Sequence, residues 1–341
     1  MTTDRPGSTT IATIANEVGV SVATVSKVLN GRADVAPETR ARVEASLERH
    51  SYRRRVPRQA TASAGQIDLV FHEFDSEWAM EIIQGVEAVC AVSGHAVVLS
   101  QLGGRHHPQQ QWLDALLHRR PLGVLFVVSS PTQAQQQQLL RQRIPFVVID
   151  TDSATSASVP TVGSSNFNGG LQATRHLLEL GHRRLAMISG QEDVLCSRER
   201  VAGFRFAHEE AGIAVDGELV RYGNFSVESG YRHGMDLLSR PVRPTAIFAG
   251  ADMQAVGVLR AARRLGLRIP DDLSLIGYDN LPMAAWTDPA LTTINQPLRD
   301  MAGTAARILL DLARGVPITT SRIDLVTELI VRESTAPPVS S

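Results

Sequence analysis

Residues 15–30 read ANEVGVSVATVSKVLN, and their spacing decides how the start of the chain folds. Two short helical patterns flank Gly19, where a tight turn requires the positive φ that glycine adopts without a Cβ clash. Ala15 is small enough for two helices to cross closely, Ser21 suits the N-cap of the second helix, and Val25, Val28 and Leu29 fall on one inward face. Val22, Ala23 and Lys27 then point outward, beside the hydroxyls of Ser21, Thr24 and Ser26. A helix-turn-helix uses its second helix in this way, hydroxyls meeting phosphates and outward side chains meeting base edges. An ordinary helical hairpin whose hydroxyls only cap would show a similar pattern, so the surrounding charge has to decide.

Positions 1 to 65 carry ten Lys and Arg against six Asp and Glu, whereas the remainder carries 24 against 29. A small basic head on an acidic body suits a polyanion partner for the head. Lys27 is the only lysine in the chain, every other fixed cation being arginine. Around the quoted stretch, Ile11, Ile14, Val18, Val20, Val43 and Leu47 recur at helical intervals. Asn30-Gly31 ends the second helix and Pro37 opens a third, so residues 10–52 are expected to form a small all-α core.

Residues 53–65, RRRVPRQATASAG, lack periodicity and read as a linker. Beyond them, β-branched runs alternate with amphipathic stretches: IDLVF, AVVLS, GVLFVV and FVVID in one half, then RRLAMIS, TAIFA and LSLIGYD in the other. This predicts an α/β body of parallel sheets covered by helices, in two similar lobes with a cleft at the carboxyl ends of the strands. QAQQQQLLRQR continues a helical pattern into Leu139 and Leu140 and reads as a solvated helix face. The final TAPPVSS is too polar and proline-rich to be expected to pack.

Several classes of function are disfavoured. A composition of 43% hydrophobic and 20% charged residues is that of an ordinary globular protein, and no apolar run approaches the roughly 20 residues of a membrane span. MTTDRPGSTT lacks the features of an export signal, so a cytoplasmic location is expected. Cys90 and Cys196 lie far apart without metal-ligand spacing and read as buried thiols. No glycine-rich phosphate loop follows IDLVF, no G-x-S-x-G elbow occurs, and His106, His107 and His118 show no metal pattern. Neither an enzyme nor a cofactor nor a metal site is therefore expected.

The frame A-x3-G-x-S-x2-T-V-S-x-V-L-N, its continuation to GRADVAPETRARVEASLERHSY, and the later stretches GHRRLAMISG, SRERVAGF, GYDN and LTTINQP together resemble the lactose/galactose repressor family over nearly the whole chain. The resemblance implies a ligand-responsive transcriptional repressor, a homodimer on pseudo-palindromic double-stranded operator DNA. Its body would be like a periplasmic sugar-binding protein. Ser21, Thr24, Ser26, Asn30 and Thr39 match backbone-contacting positions and Val22, Ala23 and Lys27 base-reading ones. Thr10, Tyr52, Arg53, Arg54 and Arg55 complete the expected DNA-binding set. For the effector the resemblance implies Asp150, Arg200, Phe225, Asp279 and Gln296, joined by Asp75 and Trp78 of HEFDSEWAM. Carboxylates and arginine suit neighbouring hydroxyls, and an aromatic suits the face of a pyranose. The same residues have plainer readings: Asp150 and Asp279 as helix N-caps, Arg200 in a structural ion pair, Trp78 as core.

The expected domains are a helix-turn-helix over 1–57, a hinge over 58–65, a two-lobed effector-binding and dimerisation domain over 66–334, and a flexible tail over 335–341. Two departures from the family stand out. Ala251 precedes Asp252 where the family commonly has asparagine, removing one hydrogen bond to a ligand. The linker over 53–65 contains Pro57 and no leucine, so Arg53, Arg54, Arg55 and Arg58 are expected to follow phosphates or enter a narrow minor groove instead of wedging the duplex open. The pocket residues resemble those of carbohydrate-utilisation regulators, which makes xylose or a xylo-oligosaccharide the expected ligand, with purines and phosphorylated sugars left open. A solute-binding protein of sugar uptake is the alternative, and the helix-turn-helix counts against it.

Overall fold

The computed structural model describes residues 11–29, 35–50, 65–73, 76–150 and 159–339. They divide into two compact units, Met1–Ser63 and Ala64–Ser341.

In the first unit, α1 (Ile11–Val18), α2 (Val22–Leu29) and α3 (Pro37–Arg49) pack around Ile14, Ala15, Val18, Val25, Val28, Val35 and Val43. Gly19 takes φ +73° and lets the Val20 amide reach back to the Ala15 carbonyl at 2.9 Å, which closes α1. Ser21 Oγ accepts from the Thr24 amide at 3.1 Å and so caps α2. Glu17 on α1 is paired with both Arg49 and His50 at the end of α3, and the Arg42 guanidinium donates to the Val18 carbonyl. These three contacts tie α3 to α1 across a core that is small.

The second unit is built as two lobes of one pattern. The first sheet holds β1 (Gln66–Phe71), β2 (Ala96–Gln101), β3 (Gly123–Val127), β4 (Phe146–Ile149), β5 (Thr161–Ser164) and β11 (Arg322–Leu325), in the order β2-β1-β3-β4-β5-β11 and parallel throughout. Helices α4 (Glu77–Val92) and α11 (Leu298–Ala313) cover one face, while α5 (Gln110–Arg119) and α6 (Gln133–Arg141) cover the other. The second sheet holds β6 (Leu185–Ser189), β7 (Val220–Tyr222), β8 (Ala246–Ala249), β9 (Ser274–Asp279), β10 (Thr292–Asn295) and the antiparallel β12 (Glu328–Ile330), ordered β7-β6-β8-β9-β10-β12. It is sandwiched by α7 (Asn166–Glu179) and α8 (Leu195–Glu210) on one side and α9 (Val227–Leu238) and α10 (Asp252–Arg264) on the other. The central strands are buried on both faces, which is why they read as unbroken apolar runs. The chain crosses between lobes three times: after β5, after β10, and between β11 and β12.

Two features differ from the expectation. The glutamine-rich α6 is not wholly a solvated face: Thr132 and Gln135 form a capping box, and the buried Gln135 donates to the Pro108 carbonyl at 2.7 Å. The end of the chain also packs further than its composition implied, which corrects the tail over 335–341 at its first residues. Thr335 meets His176 at 3.0 Å, and the Ala336 carbonyl lies 2.9 Å from both the His182 ring and the Ser274 hydroxyl. The Ala336 carbonyl completes the bonding of His182 and Ser274, which are themselves buried, so polarity here favours docking.

Candidate functional site

On the first unit, Val22 is half exposed and Ala23 and Lys27 are exposed on one side of α2, while Val25 and Val28 point into the core. Ser21 lies exposed at the cap, with Thr24 and Ser26 half-buried behind it and Thr39 half-buried in the first turn of α3. The outward set therefore occupies a continuous face at the start of α2. Thr10, Asn30, Tyr52, Arg53, Arg54 and Arg55, with the Leu29 side chain, Pro57 and Arg58, lie outside the described residues.

In the second unit a cavity of about 350 Å³ opens between the lobes, within the usual range of ligand pockets. Its walls come from the residues that follow the strands: His72 after β1, Val128 after β3, Asp150 after β4, Phe225 after β7, Ala251 after β8, and Asp279 at the end of β9. Four of these, Val128 (φ 48°), Asp150 (φ 51°), Phe225 (φ 61°) and Asp279 (φ 105°), hold left-handed backbone without being glycine. Such conformations cost of order 1–3 kcal/mol each and persist where the surroundings over-determine them. Here they aim side chains into one space.

Arg200 is the centre of the site. Its guanidinium is buried, lies 3.6 Å from the centre of the Tyr278 ring and 5.5 Å from that of Phe225, and stands 4.0 Å from Asp279, too far for a hydrogen bond. Its Nε donates to Asn166 Oδ1 at 2.9 Å, Nη1 to the Gly250 carbonyl, and Nη2 to Gln296 Oε1 at 3.4 Å. Burial opposes its charge, but Tyr278, Cys196, Asp279 and Asp150 outweigh that and raise its pKa. Burial likewise raises the carboxyls of Asp150 and Asp279, with Arg200 opposing the shift in both. Asp279 Oδ1 is buried and makes no hydrogen bond. Arg200 thus faces two buried acids, Arg322 also acts on Asp150, and one Asp279 oxygen is left without a partner. That arrangement suits a ligand rich in hydroxyl groups.

Trp78 belongs both to the cavity wall and to the core beneath α4, so neither of its two readings excludes the other. Gln296 does not line the cavity and instead backs Arg200. Asp75 lies outside the described residues. The sequence reading missed His72 and His106, whose rings stack in the wall with centroids 4.4 Å apart. It also missed Asn166 and Tyr278 behind Arg200. Cys196 lines the cavity too, but burial pushes its thiol up to about 12, which leaves it protonated and unreactive. Among the described residues no cluster could hold a metal ion, and no helix is long and apolar enough to cross a membrane.

Asp252, beside Ala251, is structural: it accepts from the Leu281 amide at 2.8 Å and the Thr293 hydroxyl at 2.6 Å, pinning the turn that follows Asp279. Burial pushes its carboxyl up to about 7 from an ordinary 3.8. Within that window the folded chain holds a proton that the unfolded chain has released, so stability from this site falls as pH rises and is level beyond it. Denaturant midpoints from about pH 5 to about pH 8 should therefore shift in favour of an Asp252→Asn variant relative to the unaltered protein. A constant or reversed difference would show that Asp252 folds ionised.

A model of the bacterial regulatory proteins of the lacI family matches residues 10–55, and a model of the periplasmic binding protein-like domain matches residues 174–335. The HTH-type transcriptional repressor PurR of Erwinia tasmaniensis is 37% identical over 330 residues, spanning 96% of this chain and 97% of that protein. The structure of the transcriptional regulator CelR in complex with cellobiose is 32% identical, with a TM-score of 0.72 over 96% of this chain and 99% of that one. The lac repressor dimer bound to operator and the anti-inducer ONPF is 26% identical, with a TM-score of 0.71 over 97% and 100% of the two chains.

Proposed function

Since the chain belongs to the lacI family of bacterial regulatory proteins, we infer that it is a transcriptional repressor whose grip on operator DNA is set by a small molecule in the interlobe cavity. Two copies would present two heads to a pseudo-palindromic operator, joined through the two-lobed domain because the head is too small to hold a dimer. The exposed face of α2 would enter the major groove, with Lys27 reaching a base edge or nearby phosphate and Val22 offering an apolar contact. Lys27→Ala is expected to weaken operator binding by about 1–3 kcal/mol with the fold and ligand affinity unchanged. Fluorescence anisotropy at physiological salt measures this, and an unaltered affinity would remove α2 from the groove.

The ligand proposed is a neutral sugar, with xylose or a xylo-oligosaccharide first. What carries this reading is the buried Asp279 carboxyl beside Arg200, one oxygen of which has no partner, with Phe225 against the guanidinium to receive a ring face. The test is thermal unfolding of the full-length protein with D-xylose, xylobiose, cellobiose and D-ribose, and with hypoxanthine as contrast. A ligand at 100 times its Kd stabilises by about 2.7 kcal/mol. Stabilisation by hypoxanthine but by none of the sugars would overturn the sugar reading.

A further inference from the structure

Two of the segments that join the lobes each deliver a side-chain amide to Arg200. Asn166 opens α7 directly after the first crossover. Its Nδ2 donates to the carbonyl of Ser164, the last residue of β5, at 3.2 Å, while its Oδ1 accepts from Arg200 Nε at 2.9 Å. Gln296 lies on the second crossover, between β10 and α11, and accepts from Arg200 Nη2 at 3.4 Å. Both side chains are buried, at 3% and 2% exposure, and neither lines the cavity. The Tyr278 hydroxyl also approaches Asn166 Oδ1, at 3.4 Å.

We propose that Asn166 is a positioning residue: it fixes the Arg200 guanidinium in its cavity-facing pose and ties that pose to the backbone of the first crossover, with Gln296 bracing it from the second. The physical reason lies in the chemistry around the guanidinium. Without an acceptor for Nε, a fully buried charged donor is left unpaired. The nearest relief is rotation toward Asp150 or Asp279, which would use up the groups that face the ligand. An amide prevents this without adding a third carboxylate to the site. Because the same amide grips the Ser164 carbonyl, any movement of the lobes at this crossover displaces Arg200, and ligand on Arg200 restrains the crossover in return.

This inference rests on Arg200 being an effector contact, so the experiment separates the two ideas. In the full-length protein labelled with 15N-arginine, the Arg200 Nε–H signal is assigned by its loss in Arg200→Lys. Asn166→Ala should speed its exchange with solvent by at least about tenfold, as loss of a hydrogen bond to a charged group implies. Should that variant not fold, Asn166→Ser is too short to reach Nε and gives the same readout. By calorimetry with xylobiose, Asn166→Ala should raise Kd about tenfold in the unaltered protein and change nothing in an Arg200→Lys background. Unchanged Nε–H exchange, or an equal rise in Kd in both backgrounds, overturns the positioning role. Failure of xylobiose to bind, or full affinity in Arg200→Lys, overturns the reading of the site instead, and the exchange arm still decides on Asn166.

Discussion

Arg200→Ala is expected to leave operator binding intact and to lower effector affinity by at least about 100-fold, equivalent to roughly 3 kcal/mol. The guanidinium holds three buried acceptors and faces two buried acids. Removing it takes away the ligand's main charged donor, and hydrogen bonds to charged groups contribute about 1.5–3 kcal/mol each. It also removes the cation that opposes the upward shift of Asp279 and the stronger of the two that oppose it at Asp150, so both shift further toward the protonated form and lose strength as acceptors. The head keeps its own core and its own exposed face. Operator anisotropy should accordingly give an unchanged affinity that no longer answers to effector, and calorimetry should show weak or no binding. Wild-type ligand affinity in this variant would remove Arg200 from the site.

Gly203→Ala is expected to cost about 3 kcal/mol or more of stability, at the upper end of what overpacking usually does. A Cβ on Gly203 of α8 would stand 2.2 Å from the Phe167 carbonyl oxygen and 2.6 Å from the Leu171 amide. Gly170 of α7 faces α8 as closely, its Cβ position 2.3 Å from the Arg200 carbonyl oxygen. The atoms met are backbone on both sides, so no side chain can turn aside and the helices must part. That separation would also pull Arg200 on α8 away from Asn166 on α7. A lower denaturant midpoint with an unchanged slope, accompanied by weaker effector binding, is the expected pair of results. Stability within about 0.5 kcal/mol of the unaltered protein would show that the helices are free to move apart.

Much of this molecule was legible in its sequence, for reasons that differ by element. The strands β1, β3, β4, β6, β8 and β9 are legible because burial on both faces leaves mainly apolar residues in a row, with polar exceptions such as the buried Asp68 of β1, which pairs with Arg119. The closing strands β11, RIDL, and β12, ELI, carry no such signal: they lie at sheet edges, with exposed and half-buried residues. Nor does anything in residues 298–325 say that the chain returns to the first lobe to lay down α11 and β11. Asp150, Arg200, Phe225 and Asp279 were named in advance, and in the structure they line one cavity. His72 and His106 were not, since a polar loop after β2 gives no hint that it folds back beside the end of β1. Asn166 escaped notice for the same reason. Its role exists only where a crossover, α8 and β9 meet.

The central claim is that occupancy of the interlobe cavity changes how the head holds DNA. It is tested most directly by selecting a duplex from a random library with the full-length protein, then titrating that duplex with and without xylobiose, for the unaltered protein and for Arg200→Ala. The account predicts a selected sequence of two inverted half-sites, an operator affinity that shifts about tenfold or more with xylobiose in the unaltered protein, and no shift in the variant. An operator affinity that ignores xylobiose in the unaltered protein while calorimetry shows it bound would contradict the claim, because the cavity would then be filled without the head responding.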